Sequence, residues 1–119
     1  MEIPPLAELL IGIQQDAQFG LTLTLGSGGI LVELLGDSKT LLLPTNASHI
    51  EAALKSLKVF SILNGFRGQP KADIGAVSQS IADLCAYVQN SPEAYCEVEI
   101  NPLFIYEKGV LAVDALVRR

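Results

Sequence analysis

The hydrophobic period of this chain changes twice, and few folds accommodate that. Apolar residues come in short extended runs up to Leu43, recur at helical spacing from Ile50 to Val88, and alternate again from Tyr95 onward. The clearest stretch is Leu21-Thr22-Leu23-Thr24-Leu25. Its period of two puts leucines on one side of a strand and β-branched threonines on the other. Residues 8–13 read as an earlier strand after Pro4 and Pro5, and residues 14–18 as a polar connection. Gly26-Ser27-Gly28-Gly29 is expected to stop the second strand, with further strands over residues 30–35 and 40–43 joined by a turn at Gly36-Asp37-Ser38. Links this short favour antiparallel neighbours, because parallel pairing needs a long crossover.

Two helices follow. Thr45 or Ser48 is expected to cap the first, Ser48 standing at capping-box spacing from Glu51, with Ile50, Ala53, Leu54 and Leu57 as its apolar stripe. Residues 60–70 read as a connection containing Gly65, Gly68 and Pro70. Asp73 is expected to cap the second helix. Val77, Ile81, Leu84, Cys85 and Val88 share one face of it, and Asn90-Ser91-Pro92 ends it. Strand signals then return over residues 95–101, with Cys96, Val98 and Ile100 on one side and Glu97, Glu99 and Asn101 on the other. Residues 103–106 continue the extended chain, Glu107-Lys108-Gly109 turns it, and residues 110–117 come back. Helices laid over one face of a mostly antiparallel sheet would bury both patterns, so the expected fold is α+β in a single domain over residues 1–119.

Half of the residues are apolar and 18% are charged, which excludes a disordered chain. The net charge of -5 offers no basic patch for nucleic acid or an anionic membrane, and no apolar run approaches a membrane span. Cys85 and Cys96 are too few and too far apart for a disulfide framework or a closed zinc site. Both are expected to be buried thiols in a reducing compartment, and no basic leader precedes Pro4, so the expected location is cytoplasmic.

Chemistry concentrates in Glu99-Ile100-Asn101-Pro102-Leu103 and Ala112-Val113-Asp114-Ala115. Counting back from the turn near Lys108 puts Asp114 within one position of Asn101 on the neighbouring strand. Cross-strand β-carbons lie roughly 5 Å apart, within reach of one cation. An amide oxygen and a carboxylate are ligands magnesium accepts while it keeps waters and sits against phosphates. A solvated sheet face with an ordinary hairpin fits the same spacing.

Resemblance sharpens the choice. Asp16-Ala17-Gln18-Phe19-Gly20, Gly26-Ser27-Gly28-Gly29-Ile30-Leu31-Val32-Glu33, the stretch Ile62-Leu63-Asn64-Gly65-Phe66-Arg67-Gly68-Gln69-Pro70, Glu99-Ile100-Asn101-Pro102-Leu103 and Val113-Asp114-Ala115 occur in order. Together they resemble the ATP-grasp module of ADP-forming acyl-CoA synthetases, in its carboxyl-terminal half. Ile62 departs from the family's usual leucine. The same signature is found in succinyl-CoA synthetase β subunits.

That resemblance implies phosphoryl exchange between ATP or ADP and a histidine on another domain, which then helps activate a carboxylic acid for transfer to coenzyme A. It implies Asn101 and Asp114 as Mg2+ ligands, with Glu99 at a nearby acidic position. Gly28 and Gly29 are candidates for backbone contact with phosphate, although the loop lacks the lysine of a Walker motif. A tight turn or a contact with partner domains explains these glycines equally well. Arg67 is a candidate partner for phosphate or a cross-domain carboxylate, with a surface turn as the alternative. His49 does not match the phosphorylated histidine and is expected to be structural.

The resemblance also implies partners: an amino-terminal ATP-grasp lobe supplying lysines and a phosphate loop, and the coenzyme A and phosphohistidine domains. The chain alone is expected to be inactive as a ligase and to self-associate through surface that a partner would cover. An alternative is a non-catalytic interaction domain derived from the same fold.

Overall fold

A computed structural model describes residues 4–28, 36–91 and 96–118. The strand expected over residues 30–35, together with Gly29, Pro92 and Tyr95, lies outside them. The described chain forms β1 (Ala7–Asp16), β2 (Gly20–Ser27), β3 (Ser38–Leu42), α1 (Ala47–Lys55), a short α2 (Phe60–Leu63), a 3-10 turn (Phe66–Gly68), α3 (Ile74–Asn90), β4 (Glu97–Ile105), β5 (Val110–Ala112) and β6 (Ala115–Arg118). The strands make one sheet in the order β3-β2-β1-β4-β5, with β6 also on β4. Every pairing is antiparallel, so the α+β expectation is borne out.

β1 runs three residues further than its apolar pattern suggested. Gln14, Gln15 and Asp16 still pair with Thr22, Leu21 and Gly20. The turn closes because the Asp16 carboxylate accepts from the amides of Gln18 at 2.8 Å and Phe19 at 3.0 Å, while Gly20 takes the left-handed φ of +79°. β2 also outlasts its expected stop: Gly26 and Ser27 pair with Leu10 and Leu9. Glycine weakens a strand without forbidding one when both neighbours hold it.

Leu9, Ile11 and Ile13 of β1, Leu23 and Leu25 of β2, and Val98, Leu103 and Ile105 of β4 form the sheet's share of the core. Ile50, Ala53 and Leu54, with Val77, Ile81, Cys85 and Val88, supply the helical share, and Leu57 joins them just past α1. Each fully buried leucine or isoleucine contributes about 1.5–3 kcal/mol of transfer free energy. Asn46 caps α1, accepting from the His49 amide at 2.9 Å, so Thr45 and Ser48 are not the caps. Asp73 caps α3 as expected, accepting from the Ala76 amide at 3.0 Å.

Asp37 does more than turn the chain. Its side chain, 4% exposed, accepts from the Ser27 hydroxyl and from the amides of Lys58 at 2.6 Å and Val59 at 3.0 Å. Val59 precedes α2 with no side-chain cap of its own neighbourhood, and Asp37 satisfies those donors from across the fold. Burial alone would raise the carboxyl. The three hydrogen bonds and the Lys58 charge outweigh it and hold Asp37 below the ordinary 3.8.

A carboxyl lowered in the folded state stabilises fully above its unfolded value and loses that contribution as pH falls through the folded one. Asp37→Ala is expected to cost on the order of 3 kcal/mol at pH 7 in urea melts, because buried donors lose their acceptor. The deficit relative to wild type should shrink as melts are taken from above pH 3.8 to below it.

Cys85 is buried as expected, and burial pushes its thiol up to about 11. Cys96 is exposed, contrary to the expectation of two buried thiols. It sits just ahead of β4, its carbonyl accepting from the Gln15 amide at 2.9 Å and its amide donating to the Arg118 carbonyl at 2.8 Å. Ellman's reagent on the native protein should titrate one thiol rapidly, with the second reacting only in denaturant.

Candidate functional site

β4 contains the irregularity on which the site is built. Ile100 pairs with Ile11 and Leu103 with Leu9, so Asn101 and Pro102 together stand opposite Leu10 alone. This is a β-bulge, and it suits Pro102, which has no N–H to give to a central strand. The Asn101–Pro102 peptide is cis. Before the bulge Val98 and Ile100 face the helices, and after it Leu103 and Ile105 do. The alternation has shifted by one residue.

On the other side of β4 the register is uniform. Ile100 pairs with Ala115 and Leu103 with Ala112, which leaves Asn101 opposite Asp114. The Asn101 amide donates to the Asp114 carbonyl at 3.1 Å, and the Val113 amide to the Pro102 carbonyl at 3.1 Å. Residues directly opposite share a face, with β-carbons roughly 5 Å apart. Glu99 lies on that same face, opposite Leu116 on one side and Gly12 on the other. Asn101 and Glu99 are half-buried and Asp114 is exposed. Glu97 instead pairs with Arg118 at 3.4 Å.

Among the described residues no helix packs on this face. Thr40, Thr24, Gly12, Glu99 and Leu116 form one row across it, and the Thr24 and Thr40 hydroxyls are 3.2 Å apart. Gly12 leaves the middle of the row bare: an added Cβ would meet only Thr24 Cβ at 3.9 Å.

An amide oxygen and a carboxylate are hard donors of the kind magnesium takes, so the donor set fits that ion. Among the described residues no three histidines, cysteines or acids gather closely enough to hold a metal. An ion bound by Asn101 and Asp114 would therefore complete its shell with water or ligand oxygens. When bound, magnesium supplies charge neutralisation of phosphate oxygens.

The other expected contacts fall elsewhere. The Gly28 amide donates to the Glu8 carbonyl at 2.8 Å and the Ser27 amide to the Asp37 carbonyl at 3.0 Å. Both amides are thus engaged within the fold. A Cβ on Gly28 would stand 3.0 Å from Glu8 Cβ and 3.1 Å from its carbonyl carbon. Close packing explains this glycine. Arg67 lies in the 3-10 turn between α2 and α3, exposed, with a left-handed φ of 53°. His49 lies in the first turn of α1, its amide bonded to Asn46.

An apolar groove of about 210 Å3 lies on the helix side instead, between Ile81 and Leu84 of α3 and Ile100, Leu103, Val110 and Ala112 of the sheet. Asp37 and Asn46 are the residues that sequence reasoning missed. Asn46 is of a capping type. Nothing local distinguishes Asp37 from an ordinary turn acid, since its donors come 21 and 22 residues later. Gly28→Ala is expected to destabilise the fold by about 1–3 kcal/mol in denaturant melts, from overpacking against Glu8.

Comparison with known proteins agrees with the fold. Residues 1–118 match the family described as ATP-grasp domain. The chain is 32% identical over 117 residues to the beta subunit of ADP-forming acetate–CoA ligase II of Pyrococcus furiosus, covering 97% of this chain and 50% of that subunit. It is 34% identical over 110 residues to ADP-forming acetate–CoA ligase II of Archaeoglobus fulgidus, covering 92% of this chain and 16% of that protein. Among solved structures, the dinucleotide-forming acetyl-coenzyme A synthetase 1 of Ca. Korarchaeum cryptofilum, in complex with coenzyme A and Mg-AMPPCP, superposes with a TM-score of 0.87 at 34% identity, over 98% of this chain and 54% of that one.

The chain thus spans half or less of these curated relatives. Among the described residues no helix is long and apolar enough to cross a membrane. With the fold and the ordered motifs in agreement, the chain belongs to the ATP-grasp family, in the branch carried by ADP-forming acyl-CoA synthetases.

Proposed function

We propose that the chain is the carboxyl-terminal, magnesium-nucleotide wall of an ADP-forming acyl-CoA synthetase. Asn101 and Asp114 hold Mg2+ against the terminal phosphates of ATP or ADP, and Glu99 flanks them. The observation that carries this reading is the hydrogen bond from the Asn101 amide to the Asp114 carbonyl, which keeps the two residues opposite each other on a helix-free sheet face. The relative from Ca. Korarchaeum cryptofilum, with Mg-AMPPCP bound, supports it.

In this reading the protein's own groups do positional work. The bulge sets Asn101, the ladder sets Asp114, and the bare backbone at Gly12 lets a ligand approach the floor beside Glu99. Arg67 holds a conformation that costs a non-glycine residue free energy, which supports a positioned guanidinium for phosphate or for a carboxylate of another domain. A backbone amide of Gly29 would be a further donor to phosphate in this reading.

Phosphoryl transfer needs surfaces beyond these. An amino-terminal ATP-grasp lobe would close over the nucleotide, and a phosphohistidine domain and a coenzyme A domain would bring the other reactants. The half-length match to the Pyrococcus subunit accords with such partners. A cytoplasmic location goes with the reading. The chain by itself aligns neither reactant and is an inactive ligase on its own.

Isothermal titration of Mg-ADP into wild type, Asn101→Ala and Asp114→Ala tests the site. Each substitution is expected to weaken binding at least tenfold while leaving circular dichroism unchanged. Identical heats in all three proteins would remove the proposed ligands, and ADP-dependent acyl-CoA turnover by the purified chain would contradict its inactivity.

A further inference from the structure

β6 lines part of one sheet edge. It pairs with β4 on one side, and among the described residues no strand pairs with its other side. All four of its residues are exposed, including Leu116 at 41% and Val117 at 52%. An unpaired apolar edge is a template for another strand, and this one has a specific polarity.

The direction of its backbone groups follows from the ladder. The Asn101 amide reaches the Asp114 carbonyl, so Leu116 and Arg118 are the next positions bonded toward β4. Ala115 and Val117 then turn their N–H and C=O groups outward. A second β6 running antiparallel can meet those groups in three registers: Ala115 against Ala115, Ala115 against Val117, or Val117 against Val117. The first sets Leu116 against Asp114, and the third sets Leu116 against Arg118. Both bury a leucine beside a charge.

The middle register does neither. Leu116 stands on the two-fold axis facing its own copy, and Asp114 faces Arg118 of the second copy twice over, all on the helix-free face. Arg118 leans on Glu97 at 3.4 Å but its side chain stays 67% exposed, leaving guanidinium donors for a second acceptor.

We infer that two copies of this chain pair through β6 in that register, extending the sheet across a two-fold axis. The occupant of the edge is the strand's own copy, because the charge order Asp114–Leu116–Arg118 complements itself. Four residues a side fall short of the roughly 1,000 Å2 of a durable interface, so the dimer is weak and its population rises with concentration. Asp114 enters only as a charge. The inference is independent of the magnesium reading, and its test is run in chelator.

In a Cys96→Ser background, Leu116→Cys and Val117→Cys are oxidised side by side. Opposed positions of this type lie about 4.5 Å apart at Cα, inside the disulfide range of about 4.4–6.8 Å. Two residues at 117 are displaced along the strands and out of reach. Cross-linking of Leu116→Cys at least tenfold faster is the expected result. Sedimentation equilibrium should show the mass of the unmodified chain rising toward a dimer, with Leu116→Lys raising the dissociation constant at least tenfold at unchanged circular dichroism. Equal cross-linking at the two positions, or a monomer at every concentration up to the solubility limit, overturns the inference.

Discussion

Leu9, Ile11 and Ile13 fix the register of the strands on both sides of β1, because all three must stay under the helices. A slip of one residue would turn them to the bare face and lose several buried side chains at once. With β1 fixed, β4 cannot slide to relieve its proline. It absorbs one extra residue as a bulge between Ile100 and Leu103. The facing ladder carries the change without any shift of partners, so Asn101 remains opposite Asp114. Apolar packing on one side of the sheet thereby sets the polar geometry of the other.

The segments most legible in the sequence were those where one short-range rule decides. Leucine–threonine alternation marked β2, and the stripes from Ile50 and Val77 marked α1 and α3, because burial on one side imposes a period that nothing else in the chain contradicts. The pairing of Asn101 with Asp114 was legible for a related reason: a short hairpin turn converts counting into register. What the sequence left obscure depends on distant partners. Gln14 and Gln15 look like loop residues, yet they extend β1 because Thr22 and Leu21 stand beside them. The bond from the Gly28 amide to the Glu8 carbonyl joins residues 20 apart in the chain, and nothing near Gly28 announces it. Cys96 reads as a core residue from its alternation with Val98, but it stands exposed one residue ahead of β4.

Asp37 shows how a polar group can stabilise a junction between elements. A buried carboxylate is unfavourable unless its oxygens are satisfied, and here one hydroxyl and two amides from a distant connection do so. The end of β2, the start of β3 and the start of α2 are joined at one point. An apolar residue of similar size would leave the Lys58 and Val59 amides without an acceptor, so the charge is tied to the path of the chain as well as to its stability.

Among the described residues the helices cover one side of the sheet, and that has a calorimetric consequence. The threonines, Gly12 and the acids of the bare side are hydrated before and after unfolding, so melting changes their solvation little. The heat-capacity increment of unfolding therefore comes from the apolar area released between the helices and the side of the sheet they cover.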